Sequence, residues 1–205
     1  MARSKMVFVD IDTQADFMLP GGKLYVPGAE KLLPTIDRLR KFAQENGIPV
    51  IASTDAHATD DPEFQNWPPH CVRGTPGQLK VSESLFDQYL VVPQERQSRV
   101  TEPELARYHQ LILEKDTLDM FANPQADDLV NRLDAEQYVV YGVATEYCVR
   151  LAVLGLRQRG RRVLLLTDAI QGIDAAGTAG ALEEMRAAAA EMGESSAVLA
   201  AAAVS

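Results

Sequence analysis

The stretch Gln137-Tyr-Val-Val-Tyr-Gly-Val-Ala-Thr-Glu-Tyr-Cys-Val-Arg-Leu-Ala-Val-Leu-Gly-Leu-Arg-Gln-Arg159 changes period halfway along. Tyr138 to Tyr141 is a β-branched and aromatic run that fits a buried strand, whereas Cys148 to Leu156 carries apolar residues at helical spacing. Gly142-Val143-Ala144-Thr145 is then a tight strand-to-helix turn, with Cys148 in the first turn of the helix. Unpaired N–H groups and the macrodipole favour an anion there. A thiol so placed ionises more easily than its free value of about 8.5, and the same N–H groups can stabilise an oxyanion. Read alone, Cys148 fits a small buried apolar residue better.

Outward from this stretch, strand-like and helical segments alternate. Lys5 to Asp12 reads as a buried strand with Asp12 at its end, and Pro49 to Thr54 as a second with Asp55 at its end. Leu111 to Glu114 ends at Lys115, and Arg162 to Thr167 ends at Asp168. Pro20-Gly21-Gly22 and Pro27-Gly28 mark a loop. Helices are expected over Ala29 to Asn46, stopped by Gly47, over Pro124 to Leu133, and over Ala179 to Met192 with Thr178 as N-cap. The tail, Ala197 to Val204, fits a last strand or a frayed helix. Such alternation implies βαβ units with right-handed crossovers. The expected architecture is therefore a three-layer α/β/α sandwich with a mostly parallel sheet, in a single domain over residues 1–205. Residues 56–107 are rich in proline and turn residues and form a loop-rich excursion. Ligands of such sheets bind outside the carboxyl ends of the strands, where Asp12, Asp55, Lys115 and the turn into Cys148 all fall.

Composition narrows the function classes. The 205 residues carry a formal net charge of −9, which repels a phosphate backbone and disfavours nucleic acid as a partner. No apolar run reaches the roughly 20 residues that span a bilayer, so no membrane partner is expected. The start leads into a strand-like run and not a signal-peptide core, and cytoplasm is the expected location. The two cysteines, Cys71 and Cys148, are expected to stay reduced there.

Two constellations carry chemistry. Asp12, Lys115 and Cys148 bring an acid, an amine and a thiol to one rim, the parts of a nucleophilic site. Asp12 could take the thiol proton, while Lys115 could hold the acid ionised and lower the thiol pKa. The second is Asp55-Ala56-His57 with Glu63 and His70, which places two of the chain's three histidines beside two acids. Such donors suit zinc, manganese or iron, and they fit hydrogen bonding to loop backbone as well.

Five stretches, Asp12-Thr13-Gln14-Ala15-Asp16-Phe17, Asp55-Ala56-His57, Trp67 to Gly77, Lys115 and Gly142 to Val149, in a match that runs on to Thr167-Asp168-Ala169, together resemble the isochorismatase-like cysteine hydrolases, most of all the nicotinamidases among them. The resemblance implies a catalytic triad of Asp12, Lys115 and Cys148. It also implies a divalent metal ion, zinc foremost, held by Asp55, His57 and His70 with Glu63 as a possible fourth ligand. A cis peptide between Val143 and Ala144 is implied too, aiming the N–H groups of Ala144 and Cys148 at an oxyanion. Phe17 and Trp67 match aromatic positions that sandwich a pyridine ring, and Cys71 has no catalytic role in the matched motif. The implied activity is hydrolysis of nicotinamide through a thioester. Another small amide, such as an N-carbamoyl compound or a ureide, is the rival substrate, and a non-catalytic binding module the rival class. Glu146, Ala152 and Gly155 depart from the pattern, and the segment after Lys115 is short. The expected partner is a small-molecule amide, and the expected assembly a homo-oligomer.

Overall fold

The computed structural model describes residues 5–201. Its centre is a seven-stranded sheet of β1 (Met6–Ile11), β2 (Val50–Asp55), β3 (Tyr89–Val92), β4 (Gln110–Lys115), β5 (Gln137–Val143), β6 (Val163–Gln171) and β7 (Glu191–Gly193), in the order β3-β4-β2-β1-β5-β6-β7. Every adjacent pair is parallel. The helices are α1 (Ala15–Met18), α2 (Leu33–Glu45), α3 (Glu102–Arg107), α4 (Ala126–Leu133), α5 (Arg150–Gln158), α6 (Ala175–Ala187) and α7 (Ser195–Ala201).

A parallel sheet covered on both faces needs strands apolar on both faces, and β1 supplies one. Val7, Val9 and Ile11 enter a core with α4, α5 and α6, while Phe8 enters another with α2 and α7. The expected α/β/α sandwich is the fold observed. The strand order reverses between β1 and β5, so the crevice for a ligand opens beyond Ile11 and Val143. Gly142, at φ +123°, lets the strands meet there, since a Cβ on it would lie 2.0 Å from Ile11 O.

Several boundaries differ from expectation. The excursion at 56–107 contributes β3, a seventh strand on the sheet edge, and α3. The segment expected as one helix from Ala29 is a 3₁₀ turn, Ala29–Leu32, followed by α2. Helix α6 starts at Ala175, because Asp174 and not Thr178 caps it, accepting the Gly177 N–H at 2.8 Å. It ends at Ala187, and Met192 lies in β7. The tail is helical through Ala201, while positions 202–204 of that expectation lie outside the described residues.

Candidate active site

The four central strands β4, β2, β1 and β5 deliver Lys115, Asp55, Asp12 and the approach to Cys148 to one edge. Asp12 follows β1 with a left-handed backbone, φ 49°. Strand β5 runs to Val143, beyond the turn expected at Gly142, and the Val143–Ala144 peptide is cis. A π-helical turn, Thr145–Val149, then precedes α5, with the Tyr147 and Val149 N–H groups both donating to Ala144 O. Cys148 thus sits in this wide turn and not in the first turn of α5. Isolated π turns recur at functional sites, because the extra residue re-aims a side chain.

Lys115 is the hub. Its fully buried ammonium lies 2.9 Å from Asp12 Oδ2, donates to Asp55 Oδ1, and donates to Cys148 Sγ at 3.9 Å. Ser53 Oγ donates to Asp12 Oδ1 at 2.6 Å, leaving Oδ2 buried without an aligned hydrogen bond. Burial alone would neutralise Lys115, but Asp12, Asp55 and Cys148 outweigh it and hold the ammonium well above its usual pKa. Burial pushes the Cys148 thiol well above its ordinary range; Lys115 opposes this, and the Asp12 and Asp55 carboxylates reinforce it. The expectation of an easily ionised thiol is therefore corrected: desolvation exceeds the help of one cation already engaged by two acids. Such a thiol needs a base beside it.

Asp55, His57 and His70 are buried, with ligand-type atoms all within 4.8 Å of one another. Asp55 Oδ2 stands 3.7 Å from His57 Nε2 and 3.8 Å from His70 Nε2. Each imidazole turns its other nitrogen outward, His57 Nδ1 to Asp61 Oδ2 at 3.0 Å and His70 Nδ1 to Pro68 O at 2.9 Å. This outer pairing fixes the tautomer that presents Nε2 as a ligand. His57 Nε2 is buried with no hydrogen-bond partner, so the donor set fits a divalent cation. Burial works against charging His57, but the Asp55 and Asp61 carboxylates beside it prevail and bring it to about 9. Although burial pushes Asp55 upward, Lys115 and the two imidazoles hold it well below the carboxylate range. Glu63 approaches from the rim, its Oε1 3.9 Å from His70 Nε2, and burial raises it.

A cleft joins the two groups, lined by Asp55, Glu63, His70 and Cys148 on its polar side. Phe17 and Trp67 both face it. Phe17 packs against His70 at 5.4 Å between ring centroids, and Trp67 meets Tyr147 edge-on at 5.5 Å. Sequence reasoning missed Tyr147, Leu24, Val26, Leu118 and Ile173 in this lining. It also missed Ser53 and Asp61; of these only Asp61 left a signal, a carboxylate four residues after His57. Cys71 is fully buried outside this lining, its thiol 3.8 Å from Gly77 O.

A doubly covered parallel sheet with a carboxylate, an ammonium and a thiol in contact at its switch point defines an α/β protein that carries the parts of a nucleophilic site. The isochorismatase domain family matches residues 6–197, and the chain belongs to that family. It is 27% identical over 184 residues to a nicotinamidase of Escherichia coli strain K12, covering 80% of this chain and 82% of that one. It is 29% identical to a nicotinamidase/pyrazinamidase of Mycobacterium tuberculosis strain H37Rv, over 89% of this chain and 95% of the other. Among solved structures, the pyrazinamidase of Pyrococcus horikoshii in complex with zinc superposes with a TM-score of 0.75 at 27% identity, covering 93% and 99% of the two chains.

Proposed function

We propose that this chain is a nicotinamidase-like amidohydrolase, converting nicotinamide and water to nicotinate and ammonia through a thioester on Cys148. The carrying observation is the contact of Lys115 with Asp12 and Cys148 beside an aromatic-walled cleft. Asp12 Oδ2 takes the thiol proton, and the sulfur attacks the carboxamide carbon. The N–H groups of Ala144 and Cys148 receive the oxyanion. Lys115 pairs with Asp12 Oδ2 at 2.9 Å before attack and steadies the thiolate as it forms. Asp12 returns the proton to the departing ammonia, then takes one from a water that attacks the thioester carbon. Nicotinate leaves, and Cys148 regains its proton.

Asp55, His57 and His70 would hold the divalent ion, zinc being the first choice, with Glu63 as an outer partner. When bound, the ion supplies a Lewis-acidic anchor for a ring nitrogen at the polar end of the cleft. Phe17, Trp67 and Tyr147 form aromatic walls, and Leu24, Val26, Leu118 and Ile173 complete the apolar lining. This lining favours a flat ring over an N-carbamoyl amino acid, because among the described residues it holds no arginine or lysine for a carboxylate. The zinc-bound pyrazinamidase and the two nicotinamidase relatives support the same reading.

The test is ammonia release from nicotinamide by zinc-replete protein, with trapping of the acyl-enzyme by mass spectrometry. Cys148→Ala should lower turnover by on the order of 10⁴ or more while the protein stays folded. Undiminished turnover in that variant would remove the thioester. Absence of ammonia from both nicotinamide and pyrazinamide would remove the substrate class.

A further inference from the structure

The turn after β1 contains two buried polar residues that the proposed chemistry leaves unused, Gln14 and Asp16, and each is tied to a different arm of the candidate metal centre. Gln14 is fully buried and spans the backbone of Asp55, its Oε1 accepting the Asp55 N–H at 2.7 Å and its Nε2 donating to Asp55 O at 2.9 Å. The same Nε2 donates to Gln78 O at 2.8 Å. Three of the amide's four hydrogen-bonding roles are filled, each by main chain from another segment.

Asp16, only 7% exposed, has each carboxylate oxygen taken by a backbone N–H: Oδ2 by Cys71 at 2.7 Å and Oδ1 by Lys23 at 2.9 Å. Cys71 follows His70 directly and has a left-handed backbone, φ 45°, so its N–H is a lever on the His70 peptide. The surroundings are shaped to admit this carboxylate. A Cβ on Gly77 would lie 2.1 Å from Asp16 Oδ2, and one on Gly22 would lie 2.2 Å from Asp16 O. The metal loop is closed on itself as well, with the His57 N–H donating to Cys71 O at 3.2 Å and the Arg73 N–H to His57 O at 3.0 Å.

We infer that Gln14 and Asp16 are positioning residues for the metal centre, Gln14 fixing Asp55 and Asp16 fixing the His70–Cys71 peptide, so that two ligands from separate segments are registered by one turn. The inference rests on the metal-centre reading above. Held this way, the carboxylate and the imidazole stay within ligand distance before any ion arrives, which lowers the ordering cost of binding. Neither residue touches the ion or the reacting atoms. Their removal therefore acts on affinity for the ion and leaves the thiol environment in place.

The experiment measures zinc affinity of metal-free protein by competition with a chromophoric chelator, for wild type, Gln14→Met, Asp16→Ala and Asp16→Asn. Loss of outer-shell support typically costs 10- to 100-fold in metal affinity, and that range is expected for Gln14→Met and Asp16→Ala. Asp16→Asn retains one acceptor and should lose less. The rate of Cys148 alkylation in the zinc-free protein is the control and should stay at the wild-type value in all three. If Asp16→Ala does not fold, Asp16→Asn and Gln14→Glu carry the test. Folded variants that bind zinc like wild type would overturn the inference, as would variants in which affinity falls only together with a changed Cys148 alkylation rate. A wild-type protein that takes up no zinc would instead overturn the metal-centre reading itself.

Discussion

Strand β1 and the residue beyond it present two buried carboxylates, Asp10 and Asp12, each beside a buried lysine, and the two pairs are built differently. Asp10 is closed: Thr13 Oγ1 lies 2.9 and 3.2 Å from its two oxygens, Lys80 Nζ is 3.2 Å away, and Lys80 also donates to Ser53 O at 3.1 Å. Asp12 is open. One oxygen is held by Ser53, while the other faces a Lys115 ammonium shared with Asp55 and Cys148. A buried ion pair is weak evidence of net stabilisation, because desolvation offsets the attraction. What separates the pairs is hydrogen bonding: both oxygens of the closed one are hydrogen-bonded, and the open one has an oxygen available to a proton.

The largest effect should come from Lys115→Met. It leaves two buried acids without their cation, a change of about 3–5 kcal/mol in stability, and turnover should fall by on the order of 10⁴ or more where charges act as one unit. Urea unfolding and single-turnover kinetics would show both; activity within tenfold of wild type would erase the distinction between the pairs. Next come the two matched substitutions. Asp12→Asn should lower turnover about 10²- to 10⁴-fold as a general base is lost, with a smaller effect on unfolding because Lys115 keeps Asp55. Asp10→Asn should do the reverse, costing about 3 kcal/mol by stranding Lys80 while nearly preserving turnover per folded molecule. Equal kinetic damage from both would mean that Asp10 belongs to the chemistry too.

The open pair was the more legible of the two in the sequence. Asp12, Asp55 and Lys115 each end an apolar run, and such runs place their last polar residue at a strand's carboxyl edge whatever the tertiary details. The closed pair was not legible, because Lys80 reaches Asp10 from within the excursion, where no periodicity announces a contact. Strand β3 was missed for a related reason: its four residues lie on a sheet edge with Tyr89 and Val91 exposed, so neither the alternation of a half-buried strand nor a long apolar run marks it. The Cys148 thiol was misjudged because helix position can be read from spacing, whereas the degree of burial depends on the packing of strands distant in sequence. Thr178 and Asp174 both carry capping side chains, and only the extended backbone at Asp174 in the folded chain selects the acid.

The smallest expected effect completes the series at the protein surface. Glu104, in the first turn of α3, accepts from Arg96 Nη2 at 2.8 and 3.0 Å and from the Thr101 N–H at 2.7 Å, as half of a capping box. Arg96 first, and then the Thr101 bonds, bring its pKa to about 2 from an ordinary 4.5. A depressed carboxylate stabilises the fold above its unfolded value, and that contribution is lost as pH falls from about 4.5 through about 2. Glu104→Gln should therefore cost under about 1 kcal/mol at neutral pH, because solvent reaches and screens a pair that is only partly buried. The deficit should shrink on adding salt and close as the pH is lowered, when read by denaturant unfolding at several pH values. A deficit that persists unchanged in acid, or that matches the cost of Asp10→Asn, would mean that burial is not what gives the two interior pairs their weight.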